Sequence, residues 1–278
     1  MRGCCRPCGQ YESRAEMEIT MNSRVDRIYE KMNEGKLVKG FFLTMEDPAV
    51  SEMAGWIGYD YVWIDAEHGA LGRQEILRHI VAAQGSGCCA IVRVPSAEPS
   101  LLKAILDMGP DGVIFPFIHN AGIAKTAVQA CSYPDTGGIR GQGPIRAIRY
   151  GLLDEGEYLA SGYRNVMRIM QIESLEGYEN LDAIMDVEGI DSIFIGAADL
   201  SRSIAGYRGD KNYTLDGVYD DICRRERARG LYLGAAMGPT KEDAERIMGK
   251  GVQWTVFGQD ARALSGALKA NFDAVKEF

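Results

Sequence analysis

Apolar positions along the chain fall into short, nearly continuous runs, separated by longer stretches in which they recur every three or four residues. The runs cover 38–44, 61–65, 90–94, 112–118, 167–173, 190–196, 231–237 and 253–258. Strands covered on both faces have this continuous apolar character. Several runs end in small or polar residues, where a strand feeds a loop. Between them, Ile76, Leu77, Ile80 and Val81 share one helical face, as do Leu101, Leu102, Ile105 and Leu106. The last stretch, 261–278, carries Leu264, Leu268, Phe272 and Val275 on one stripe.

Alternation of strand and helix predicts a parallel sheet. Eight repeats in this length predict an α/β fold of one domain over 23–278, a (β/α)8 TIM barrel. An open doubly wound sheet is the rival, but it would carry a glycine-rich turn after its first strand. The segment LTMEDPAV at 43–50 has no glycine. One excursion, 132–166, breaks the rhythm and contains SYPDTGGIRGQGPIRAIRYG. Long excursions in compact domains tend to be functional or disordered. Its Arg140, Arg146 and Arg149 read either as an anion-handling loop beside the barrel mouth or as a solvated basic loop.

Composition narrows the class. With 278 residues and 46% apolar content, the chain is neither a disulfide-stapled mini-domain nor a disordered polymer. Lys and Arg total 31 against 39 Asp and Glu, a formal charge of -8. An acidic chain has no general attraction to phosphate backbones, so nucleic acid is not expected as a partner. No apolar run approaches the roughly 20 residues that span a bilayer. The opening MRGCCRPCGQ has basic residues with no apolar core behind them, unlike a secretory signal. A cytoplasmic protein is expected.

Of 7 cysteines, Cys88, Cys89, Cys131 and Cys223 lie in core-like segments and read as small hydrophobes. Cys5 and Cys8 have C-x-x-C spacing, but no second pair completes a zinc motif. Residues 1–22 read as a disordered extension or a misassigned start, with Met17 and Met21 as alternative starts.

Barrel enzymes act where the βα loops converge, at the C-terminal ends of the strands. The second run ends IDAEHG, the third RVP, the fourth FIHN, the fifth QIES and the sixth GAADLS. Glu173 and Asp199 close neighbouring strands. Two such carboxylates repel unless a cation or proton lies between them. Mg²⁺ or Mn²⁺ suits one or two carboxylates with water or substrate oxygen filling its other positions; the alternative is a solvated pair of loop acids. None of the eight strand ends carries a lysine, which disfavours Schiff-base chemistry and leaves a metal as the electrophile for any carbonyl reaction. Histidine titrates near neutral pH, so His68 is the leading general base, with His119 its competitor by position. His79 falls inside a helix and reads as structural. Asp107 ends the third helix, where the helix dipole disfavours an acid; it reads as the partner of a cation or histidine, or as a solvated last-turn acid.

The strings WIDAEHG, VRVP, LLKAILDMG, IFPFI, SYPDTGGIRGQGP, MQIES and GIDSIFIGAADLS occur in order. Together they resemble the metal-dependent class II pyruvate aldolases related to 4-hydroxy-2-oxoheptanedioate aldolase and the citrate lyase β-subunit, from about residue 40 onward. The resemblance implies reversible cleavage of a 4-hydroxy-2-oxo acid to pyruvate and an aldehyde, through an enolate stabilised by Mg²⁺, Mn²⁺ or Co²⁺. It assigns the metal to Glu173 and Asp199, and the substrate to Gln171 and the backbone at Ala198, with Arg140 a further candidate from the basic loop. It makes His68 the acid–base residue paired with Asp107, gives Arg93 the developing oxyanion, and places Asp65 near the aldehyde. It also implies a homo-oligomer, a trimer or hexamer, in which the last helix swaps between subunits. Oxaloacetate decarboxylation, acyl-CoA cleavage and a non-catalytic acid-binding barrel are the alternatives. The chain departs from the family at Asp135 and Ala197, where prolines are usual, at GAAMGP after the seventh strand, and at His119. These departures bear on the aldehyde more than on the enolate.

Overall fold

The computed structural model describes residues 23–143, 145–161 and 166–278, so the expected extension 1–22 lies outside the described residues. In chain order the elements are α1 (Ser23–Asn33), β1 (Val38–Leu43), α2 (Ala49–Ile57), β2 (Tyr61–Asp65), α3 (Arg73–Gly85), β3 (Cys89–Arg93), α4 (Pro99–Asp107), β4 (Gly112–Phe115) and α5 (Ala121–Cys131). They continue with α6 (Glu155–Ser161), β5 (Met167–Ile172), α7 (Leu175–Glu179), α8 (Leu181–Met185), β6 (Ser192–Ile195), α9 (Ala197–Gly206), α10 (Leu215–Arg227), β7 (Tyr232–Ala236), α11 (Lys241–Gly249), β8 (Trp254–Gln259) and α12 (Asp260–Asp273). The strands pair in parallel, each with the next, and β8 closes on β1. The eight expected strands form the expected barrel.

β4 is shorter than its apolar run. Pro116 has no N–H for the ladder, and Phe117 turns away with φ at 49°.

Side-chain alternation divides the apolar residues into two layers. Tyr61, Trp63, Cys89, Ile91, Ile114, Met167, Ile169, Phe194 and Trp254 fill the barrel interior. The Trp63 and Phe194 rings meet edge to face at 4.7 Å. Gly40 is required here, since a Cβ would lie 2.0 Å from the Tyr61 ring. The opposite strand faces, among them Ile64, Val92, Phe115 and Ile195, pack under helices through Ile76, Ile80, Leu102 and Leu106.

The strand pattern did not announce α1. Its Val25, Ile28 and Met32 join the interior cluster. Arg24 Nε donates to Asp111 at 3.1 Å and Lys31 Nζ to Asp60 at 2.6 Å. Those acids precede β4 and β2, so α1 plugs the end of the barrel where the strands begin.

The described part of the 132–166 excursion meets that same end through Arg146 and Ala147, not the mouth. α5 carries the chain back along the barrel wall, so its continuation meets helix C-termini. Ala147 N–H donates to the Asp107 carbonyl at the end of α4, and Arg146 Nη2 donates to Gln84 Oε1 in the last turn of α3 at 2.9 Å.

α12 is amphipathic as expected, yet Leu264, Leu268 and Phe272 are exposed. On α2, Trp56 and Ile57 are also bare. No helix among the described residues is long and apolar enough to cross a membrane.

Candidate active site

Strand alternation delivers the polar residues to the mouth. Met167 and Ile169 point into the barrel, so Gln171 and Glu173 continue the same face. Asp65 follows Tyr61 and Trp63, and Arg93 follows Cys89 and Ile91, by the same rule.

Glu173 is buried at 2% exposure. Its Oε1 accepts the Phe117 N–H at 2.7 Å, and its Oε2 accepts from Gln171 Nε2 at 2.6 Å. The left-handed backbone of Phe117 aims that N–H, a conformation rare for a bulky residue. Burial pushes Glu173 up to about 7 against the Phe117 N–H, which favours the carboxylate; the charges of Glu67 and Asp199 push it further. Gly196 follows β6 directly alongside, and a Cβ there would sit 2.6 Å from that of Glu173. Asp199 lies in the first turn of α9, whose unbonded N–H groups, Ala198 included, form an anion-attracting end.

Across the mouth, Arg93 Nε donates to Asp65 Oδ1 at 2.8 Å. Glu67 Oε2 lies 3.0 Å from the same Nε without hydrogen-bond geometry. The Arg93 guanidinium sits 5.3 Å from the Trp63 ring centroid. Burial raises Glu67 above the usual carboxylate range, with Arg93 opposing. Asp65 Oδ2 and Gln171 Oε1 are buried with no protein partner among the described residues.

His68 is largely exposed, its Nε2 3.8 Å from Glu67 Oε2. His119 is also at this end, its Nδ1 2.9 Å from Ser174 Oγ. His79 is structural: its Nε2–H donates to the Met45 carbonyl at 2.9 Å, so Nδ1 accepts the Ser51 hydroxyl at 2.7 Å.

The structure therefore brings Asp65, Arg93, Gln171, Glu173, Ala198 and Asp199 to one end, with His68 on the rim. It does not bring Asp107 or Arg140 there. Asp107 ends α4, and α4 runs opposite to the strands. Within this chain Asp107 takes Arg140 Nη2 at 3.0 Å rather than His68. Arg140 is buried over the Tyr133 ring, far from any substrate at its own mouth. Two participants were missed. Glu67 lies in the same DAEH string as Asp65 and could have been read from it. The Phe117 N–H has no side-chain signature.

Among the described residues no group of three or more His, Cys, Asp or Glu side chains forms a metal cage. The donor set still fits a hard divalent ion. Glu173 and Asp199 would supply oxygen, Glu173 is held in place by two donors, and water or substrate would complete the sphere, as Mg²⁺ prefers.

Residues 39–267 match the family described as HpcH/HpaI aldolase/citrate lyase. The chain belongs to that family. A 4-hydroxy-2-oxovalerate aldolase of Rhodococcus jostii is 33% identical over 261 residues, 92% of this chain and 99% of the relative. A 5-keto-4-deoxy-D-glucarate aldolase of Shigella dysenteriae is 30% identical over 240 residues, covering 86% and 92%. The fold is that of an HpcH/HpaI aldolase from Desulfitobacterium hafniense, with a TM-score of 0.80 at 24% identity over 90% of this chain and 96% of that one. As an HpcH/HpaI aldolase, the chain is a carbon–carbon lyase that depends on a divalent metal.

Proposed function

We propose that the mouth reversibly cleaves a 4-hydroxy-2-oxo acid to pyruvate and an aldehyde. The observation that carries this reading is the buried Glu173 carboxylate, held by Phe117 and Gln171 beside the α9 end that presents Asp199. Glu173 and Asp199 would hold Mg²⁺, Mn²⁺ or Co²⁺. When bound, the ion supplies the positive charge that makes the carbon beside the keto group acidic. The Ala198 N–H at the helix end takes the substrate carboxylate, and Gln171 Oε1, which has no protein partner among the described residues, takes substrate or water. In the cleavage direction His68 takes the proton of the 4-hydroxyl, the C3–C4 bond breaks with its electron pair passing to the C2 oxygen as the enolate of pyruvate, the aldehyde leaves past Asp65, and a proton returns to C3 to give pyruvate. Arg93, fixed by Asp65, faces the negative charge that grows on oxygen, where a preorganised cation is worth most.

His68 and Asp107 lie at opposite ends of one barrel, so they pair only between subunits of a homo-oligomer. The bare stripe of α12 and the bare Trp56 and Ile57 of α2 support a swap of the last helix between subunits. The buried free thiols Cys88, Cys89, Cys131 and Cys223 suit a reducing cytoplasm.

Proton NMR of pyruvate in D₂O with protein and Mg²⁺ tests the reaction. The methyl signal is expected to decay by exchange. Pyruvate binding without exchange overturns the proposal. Pyruvate assayed against succinic semialdehyde, tartronate semialdehyde, glycolaldehyde and lactaldehyde then names the acceptor.

A further inference from the structure

A second concave site lies at the far end of the barrel, built by the basic loop that the aldolase mouth does not use. It is a cavity of about 450 Å³ between the last turn of α3, the residues before β4, and the 146–152 segment. Arg24, Arg146 and Arg149 line it, and no acidic residue does.

The three cations are compensated unequally. Arg24 pairs with Asp111 at 3.0 Å. Among the described residues Arg146 donates to neutral acceptors, the Met108 carbonyl at 2.7 Å and Gln84 Oε1. Burial makes its charge costly and the neighbouring Arg24 adds to that cost, with Tyr150 and Asp111 offsetting part of it. Arg149 has no acceptor among the described residues. A cavity lined by three guanidinium groups and by no carboxylate stands out on a chain of net charge -8.

The backbone is arranged around this cavity. Arg149 and Tyr150 both hold left-handed φ angles, 50° and 58°. Two consecutive non-glycine residues in that region are strained, and such strain clusters at ligand clamps. It carries Arg149 and the Tyr150 ring to the cavity together. Tyr150 is 72% exposed and Leu152 80% exposed, with the half-exposed Val81 completing an apolar lip.

The geometry points to a binding site for a small anion with a phosphate or carboxylate group on an apolar body. The guanidinium forks take the oxyanion, and Tyr150, Leu152 and Val81 cover the body. Within one chain the site lies at the opposite end of the barrel from the mouth. The β4 strand alone puts roughly 13 Å between them, at about 3.3 Å per residue.

The test is calorimetric titration of the full-length, Mg²⁺-loaded protein with inorganic phosphate, phenyl phosphate and phthalate, at fixed ionic strength. Phenyl phosphate or phthalate is expected to bind at least about tenfold more tightly than inorganic phosphate, because only these cover the apolar lip. Arg149→Gln is expected to weaken that binding by about tenfold or more, with pyruvate methyl exchange and melting temperature unchanged. The tighter of the two aromatic probes identifies the head group, and either order supports the site. The proposal is overturned if neither aromatic probe binds, if Arg149→Gln binds as the parent does, or if pyruvate displaces the probe.

Discussion

The backbone N–H of Phe117 donates to Glu173 Oε1 at 2.7 Å, and it does so from a left-handed φ of 49°. A residue with a Cβ pays about 1–2 kcal/mol to stand there. Phe117→Gly is therefore expected to be more stable than Phe117→Ala by about 1 kcal/mol, since both lose the ring and only glycine loses the strain. Chemical denaturation of the two variants measures this. Equal stability would show that the left-handed turn is not enforced.

Gln171 restrains the other oxygen of the same carboxylate at 2.6 Å. EDTA is expected to abolish pyruvate release, and Mg²⁺, Mn²⁺ or Co²⁺ to restore it. Gln171→Ala is expected to weaken Mn²⁺ binding about 10–100-fold, the usual effect of losing a group that orients a metal ligand. Titration of free Mn²⁺ by electron paramagnetic resonance, without substrate, reads it directly. Unchanged affinity would show that Gln171 does not orient Glu173 for the metal.

Two histidines compete for the proton-transfer role. His68→Ala is expected to lower kcat by about a hundredfold or more, with a smaller loss for His119→Ala, whose ring is tethered to Ser174. Steady-state rates of both variants decide it, and the reverse order transfers the role to His119.

Glu226, away from the mouth on α10, is 3% exposed and has one carboxylate oxygen without a partner among the described residues. Burial pushes it up to about 7, with Arg227 opposing. The folded state thus binds its proton more tightly than the unfolded state does. The contribution of this group to stability is fully present below about pH 4.5 and is lost as pH rises through about 7. Glu226→Gln keeps the shape without the charge. It is expected to stabilise the protein at pH 8 by on the order of 1–2 kcal/mol and to change little at pH 4. Melting curves at both pH values check this, and a variant no more stable at pH 8 contradicts it.

The apolar stripe of α12 leads to an expectation about assembly. Leu268→Asp with Phe272→Asp is expected to shift the protein to smaller species in light scattering while leaving the barrel folded by circular dichroism. An unchanged mass would show that the stripe packs nothing.

The sequence by itself determined the barrel and most of its mouth. Strand character and two-residue alternation are local properties, so the runs that place Trp63 and Ile169 inside also deliver Asp65 and Glu173 to the strand ends. The shared QIES and GAADLS strings then joined Glu173 to Asp199. Tertiary structure decided what local pattern does not encode. The left-handed turn that turns the Phe117 amide onto Glu173 depends on a neighbouring strand, not on the residues around it. The resting place of the 132–166 excursion depends on which helix ends it packs against. It meets the C-termini of α3 and α4, so Arg140 pairs with Asp107 far from the mouth. Asp107 itself was legible, because a helix that returns along a parallel barrel must end where the strands begin.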